Sequence, residues 1–173
     1  MDNKLSTNEV ARIVEKEYRK TLNKILRETF ILIFGPGKGS EKFFLRLKVR
    51  DTLRKMGCKT YFPEEIAAKI NTIVKEEILA RKFNLIYVLL IGLGPSMEFT
   101  HYLHRAELAP KFRLFQESKY RGKKSFANEL IKHFCKLYRH CYLFDDEKKL
   151  IRIAKKCLKN YVNFVIVYKH RPY

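Results

Sequence analysis

Gly94-Pro95-Ser96-Met97-Glu98 is the segment of this chain whose residue types and spacing point most directly to chemistry. A tight Gly-Pro turn delivers a helix start, with Ser96 as its cap and the Glu98 carboxylate near the unpaired amides, where the helix dipole favours the ionised acid. An oriented, ionised carboxylate beside a sugar can hydrogen-bond ribose hydroxyls, stabilise an oxocarbenium-like transition state or attack C1′. An acid in a first helical turn also stabilises the helix by about 0.3–1 kcal/mol with no further role, so position alone leaves both readings open. A second constellation, Gly35-Pro36-Gly37-Lys38-Gly39-Ser40, sets flexible backbone, a cation and a hydroxyl at another helix start, either a setting for phosphate or ribose or a turn that only connects strand to helix. It has neither the GxxxxGK[ST] nor the GxGxxG spacing. Glu64 and Glu65 follow a strand at the edge where acids often hold ribose hydroxyls, or are simply the acids of a first helical turn, and Asp51 sits next to Arg50 as a solvated helix pair.

These residues need elements to carry them. Ser6-Thr7-Asn8-Glu9 reads as a capping box ahead of Val10, Ile13, Val14, Tyr18, Leu22, Ile25 and Leu26, one face of a helix running to about Thr29. The apolar run 30–34 is a strand opening into the glycine-rich loop. Ser40 is the expected cap of the next helix, which Gly57 stops near Met56. A short strand over 58–62, a helix from Pro63 to about Lys82 and the most apolar strand, over 85–93, follow. The helix begun at Ser96, a strand over 113–116, a helix over 124–139, a short strand over 141–144, a helical stripe of Leu150, Ile153, Ala154, Cys157 and Leu158, and a final strand over 163–167 complete the reading.

Alternation of strands with amphipathic helices predicts an α/β fold: a doubly wound, mostly parallel five-stranded sheet with helices on both faces, plus an N-terminal helix. Non-alternating apolar runs suit strands covered on both sides. The 173 residues suit a single domain, with the N-terminal helix over 1–29 and a nucleotide-binding-like α/β domain over 30–173. In such sheets ligands sit at the carboxyl ends of strands where strand order reverses, which selects the loops at 35–40, 63–65 and 92–98.

Composition narrows the partners. The chain carries 37 Lys and Arg against 18 Asp and Glu, a net charge of +19. Residues 99–173 hold 18 basic groups against 6 acidic, residues 1–98 hold 19 against 12, so the second half is the more basic. Such a surface attracts polyanions through counterion release. Lys119, Arg121, Lys123 and Lys124, set around Gly122, are the densest cluster, either a contact for the phosphates of a ligand or of nucleic acid or an ordinary solvated loop. With no base-reading motif, contact with nucleic acid is expected to be weak and sequence-independent. The apolar face of the N-terminal helix packs on its own chain or on a second copy, which makes an oligomer through that helix an open alternative.

Seven Gly, five Pro and 46% hydrophobic residues exclude collagen-like and disordered classes. The longest apolar run is about half the ~20 residues a membrane-spanning helix needs, so no membrane segment is expected. The first residues lack the basic-then-apolar order of a secretion signal, so a cytoplasmic location is expected. Cys58, Cys135, Cys141 and Cys157, with no CxxC pair, read there as buried free thiols. Glu98, His101 and His104 lie three residues apart, but the outer pair diverges around the helix, so no metal is expected. No cofactor is expected either.

The order strand, Gly-Pro loop, helix with Arg50-Asp51 and Leu53-Arg54, strand ending Tyr61-Phe62-Pro63-Glu64, apolar strand and Gly94-Pro95-Ser96-Met97-Glu98-Phe99 resembles the nucleoside 2-deoxyribosyltransferase-like and Toll/interleukin-receptor-like superfamily. The resemblance covers about residues 30–105. In those families a Gly-[Thr/Pro]-x-x-Glu turn after the third strand supplies the catalytic glutamate, and the substrate is a nucleoside, a nucleotide or NAD. The resemblance implies Glu98 as nucleophile or ribose-orienting acid, Ser96 as its neighbour, the 35–40 loop as a pocket wall, and Asp51 as an acid lining the pocket rather than a solvated helix pair. Past the glutamate this chain reads Phe99-Thr100-His101-Tyr102, where the deoxyribosyltransferases usually carry a small residue. The expected function is that of an N-glycosidic-bond hydrolase or transferase; the alternative is a non-catalytic nucleotide- or nucleic-acid-binding module of the same fold.

Overall fold

Two unbroken apolar runs take the centre of the sheet. The computed structural model describes residues 6–91, 102, 105–121 and 126–169. Strands β1 (Phe30–Phe34) and β3 (Leu85–Leu90) lie side by side. Outside them lie β2 (Lys59–Tyr61), next to β1, and β4 (Phe112–Glu117) and β5 (Cys141–Phe144), beyond β3. The order is β2-β1-β3-β4-β5 and every pairing is parallel. Side chains of β3 are buried on both faces, as the lack of alternation requires.

Five helices flank the sheet among the described residues: α1 (Thr7–Glu28), α2 (Phe43–Lys55), α3 (Thr72–Lys82), α4 (Phe126–Tyr138) and α5 (Glu147–Lys169). One face buries Ile25 and Leu26 of α1, Leu45, Val49 and Leu53 of α2, and Leu150, Ala154, Leu158 and Val162 of α5 against Ile31, Ile33, Tyr87 and Phe115. The other packs Ala80 of α3 and Ile131 and Phe134 of α4 on Leu32, Ile86, Val88 and Leu114. The sheet is therefore doubly wound. Each of the Leu, Ile, Val and Phe side chains among them stabilises the fold by about 1.5–3 kcal/mol on removal from water, before chain entropy is counted. The fully buried Tyr87 hydroxyl donates to the Ala154 carbonyl at 3.1 Å.

The capping box at the start of α1 forms: the Glu9 amide donates to Ser6 Oγ and the Ser6 amide to the Glu9 carboxylate. Val10, Ile13, Val14 and Tyr18 remain exposed, so only the last turns of α1 reach the core. No helix among the described residues is long and apolar enough to cross a membrane.

Four local expectations are corrected. Residues 163–167 are not a strand: they belong to α5, whose buried positions Leu150, Ala154, Cys157, Leu158, Val162 and Val165 keep helical spacing, and no Gly or Pro breaks the chain between the stripe and the β-branched run. Pro63–Glu65 is a single 3-10 turn, and α3 starts later, where the Asn71 side chain accepts from the Ile73 amide. Ser40 does not cap α2, which begins at Phe43 without a side-chain cap; its hydroxyl accepts from the Lys42 amide at 3.2 Å. Cys135 and Cys141 are not free thiols but a disulfide joining α4 to β5, which the spread-out spacing hid because the turn between them doubles back. Cys58 and Cys157 are buried and free as expected.

Candidate functional site

The chain steps outward from β1 to β2, then crosses to β3 on the other side of β1, so strand order reverses between β1 and β3. Phe34 lies level with Val88, and Gly35 comes beside Leu89. A Cβ on Gly35 would stand 3.0 Å from Leu89 Cβ and 3.4 Å from the Leu89 carbonyl, and φ there is +154°. Glycine is thus needed at 35 for the strand end to abut its neighbour. Gly37 and Gly39 face open space, Ser40 closes a turn onto the Gly37 carbonyl at 2.9 Å, and Lys38 is exposed. The 35–40 loop is therefore pinned at its first residue and open at its tip.

What holds the base of this loop is Arg46, which the sequence reading passed over. Its guanidinium is 3% exposed, lies 4.1 Å over the Phe62 ring, and donates from Nη2 and Nε to the Ile33 carbonyl at 2.7 and 3.2 Å and from Nη1 to the Pro36 carbonyl at 3.4 Å. The remaining N–H groups form a two-pronged ion pair with Glu64. One turn along α2, Arg50 pairs with Glu65 and, through Nε, with Asp51 at 3.0 Å; one turn further, Arg54 reaches Glu65 at 3.5 Å and donates to the Thr60 carbonyl. Glu65 also accepts from the Phe62 amide at 2.9 Å. Glu64 and Glu65, nominated for ribose hydroxyls, and Asp51, nominated to line the pocket, are thus each engaged by arginine. Arg46, Arg50 and Arg54 at i, i+4 and i+8 on one helix face, matched to the Glu64-Glu65 pair, were the sequence signal for this lattice.

At the end of β4, Glu117 is buried, pairs with Lys119 at 3.0 Å and stands 3.8 Å from Lys42, while its other carboxylate oxygen is buried with no hydrogen-bond partner among the described residues. Lys119, nominated for polyanions, stays exposed but is engaged by this carboxylate, and its hydrogen bond to Glu117 raises its ammonium pKa. Arg121 is exposed. It sits at the rim of a cavity of about 440 Å³ that runs beneath α4 from Cys141 to the last pair of the β3–β4 ladder, Leu90 and Gln116, with Lys132 and Lys136 on its helical wall. Gly94, Ser96, Glu98, Lys123 and Lys124 lie outside the described residues, as do His101 and His104. Among the described residues no group of three or more His, Cys, Asp or Glu is placed to hold a metal ion.

The chain matches no protein-family model and no curated protein.

Proposed function

We propose that the protein acts on the N-glycosidic bond of a nucleoside, nucleotide or NAD-like ligand at the carboxyl end of β1 and β3, with Glu98 as the catalytic carboxylate. The observation that carries this reading is the reversal of strand order between β1 and β3. Ligands of doubly wound sheets collect at that point, and it is bordered by the open tip of the 35–40 loop and by the chain leaving β3 toward Gly94-Pro95-Ser96-Met97-Glu98. The cavity that reaches Leu90 and Gln116 supplies neighbouring room with a cationic rim suited to a ligand bearing phosphate. In this reading the arginine–carboxylate lattice positions the loop wall, and ribose contact falls to Glu98, Ser96 and loop amides.

Incubation with a panel of nucleosides, nucleotides and NAD, followed by chromatography for free base, tests the proposal. Base release that is abolished by Glu98→Gln supports it. A ligand bound without base release points instead to the non-catalytic module, and neither binding nor release refutes both readings.

A further inference from the structure

The opposite end of the sheet holds a second cavity, of about 660 Å³, at the amino ends of β3, β4 and β5. Its polar lining includes Lys82 from the end of α3 and Arg113 of β4, with His140 and Asn160 beside them; Arg81 is paired with Glu77 and Glu107 outside the cavity, Lys111 donates to the Ala80 and Arg81 carbonyls, and among the described residues no carboxylate lines the space. Phe83, Leu85, Tyr161 and Phe164 make an apolar wall.

Arg113 is the unusual member. It is half-buried, and all of its hydrogen bonds leave from one nitrogen: Nη1 meets the Pro110 and Phe112 carbonyls at 2.7 Å each and His140 Nδ1 at 2.9 Å. Its Nε and Nη2 have no acceptor among the described residues. Burial and the neighbouring guanidinium hold His140 at about 4, so its ring is neutral near pH 7 and Nδ1 accepts. Tyr142, Cys157 and Tyr161, which surround the same space, are kept protonated by burial. A partly desolvated cation with free donors and no counter-charge is costly unless an anion completes it, and a guanidinium fork matches a carboxylate or phosphate edge.

We propose that this basal cavity binds a small organic anion, a phosphate or carboxylate carried on a flat apolar body, with Arg113 gripping the charge and Tyr161 and Phe164 covering the body. The site lies a strand's length from the carboxyl-end crevice, so it does not depend on base release there.

The test uses the full-length, ¹⁵N-labelled protein with phenyl phosphate, benzoate and the uncharged benzyl alcohol as probes. Saturable amide shifts at Leu85, Arg113 and Asn160–Tyr161 are expected with one or both anions and not with the alcohol, and which anion saturates first assigns the headgroup. Arg113→Met should weaken binding by roughly tenfold or more, the factor a charge-assisted hydrogen bond carries. Because Arg113 also braces two carbonyls, the exposed rim residue gives an independent variant: Lys82→Glu should weaken binding several-fold with the fold intact. The proposal is overturned if neither anion gives saturable shifts at these amides by about 10 mM, above the ~1 mM scale of a weak site. It is equally overturned if the shifts spread over the 37–42 amides and other basic surface alike, or if Lys82→Glu leaves affinity unchanged.

Discussion

Arg46 Nη1 and Nη2 meet the two carboxylate oxygens of Glu64 at 2.7 and 2.9 Å, tying α2 to the turn that follows β2. The same guanidinium holds the Ile33 carbonyl of β1 and the Pro36 carbonyl of the loop that follows it, so one side chain joins three segments at the carboxyl edge of the sheet.

Arg46→Met should therefore cost about 3 kcal/mol, because it removes charge-assisted bonds to two backbone carbonyls and leaves Glu64 unpaired at a site only partly open to water. Arg46→Lys keeps the charge but not the planar fork and should fall between the two. Urea unfolding of the three proteins checks the order; a Met variant as stable as the parent would mean that the lattice is ornamental.

Alanine at the two loop glycines should behave differently. Gly35→Ala forces a Cβ against Leu89 and is expected to cost about 1–3 kcal/mol, whereas Gly37→Ala, facing open space, should stay within about 0.5 kcal/mol. Thermal melts of both variants decide, and equal effects would refute the close-packing account of Gly35.

His140 sets a pH dependence. Its folded pKa, about 4, lies below the unfolded value near 6.5. The unfolded chain therefore binds the proton more readily, and stability falls as pH drops from about 6.5 to 4. For a half-exposed ring the discounted contribution is about 1–2 kcal/mol. His140→Asn should flatten that part of the stability profile, and an NMR titration midpoint near 6.5 for His140 would contradict the assignment.

The cysteines give a count. Unfolded under non-reducing conditions, the chain should expose two reactive thiols out of four, rising to four after reduction. In the folded protein both should react slowly, since each is buried and burial pushes the Cys58 thiol up to about 12. Loss of the short bridge through Cys141→Ser should cost about 2 kcal/mol.

Polyanion binding should fall steeply with salt, because phosphate contacts release counterions. Arg121→Glu should weaken binding to heparin or generic DNA more than Lys119→Glu does, since Lys119 already serves Glu117. Binding that hardly changes between about 50 and 200 mM salt would exclude the electrostatic mode.

The sheet was legible because its central strands are unbroken apolar runs, and the helices because Ser6–Glu9, Gly57 and the 3.6-residue stripes mark their faces and ends. Residues 163–167 were misleading for a definite reason: β-branched content spoke for a strand, and only the register with Leu150 and Ala154 seven or more residues back shows that the helix had not ended. The acids of the site were found in sequence but their engagement was not. Whether Glu64 is free depends on Arg46, eighteen residues away and on a different element, and pairing across elements leaves no periodic trace. The Arg113 cavity was invisible for the same reason, since its walls come from α3, β3, β4, β5 and α5.

From Thr7 to Lys20 every residue of α1 is exposed, while Ile25 and Leu26 anchor its far end. The leading half of that helix is consequently a handle: between Val10 and Glu17 a fluorophore, an affinity tag or a surface tether displaces no buried side chain, and the handle ends at Tyr18, whose hydroxyl donates to Asn163 of α5.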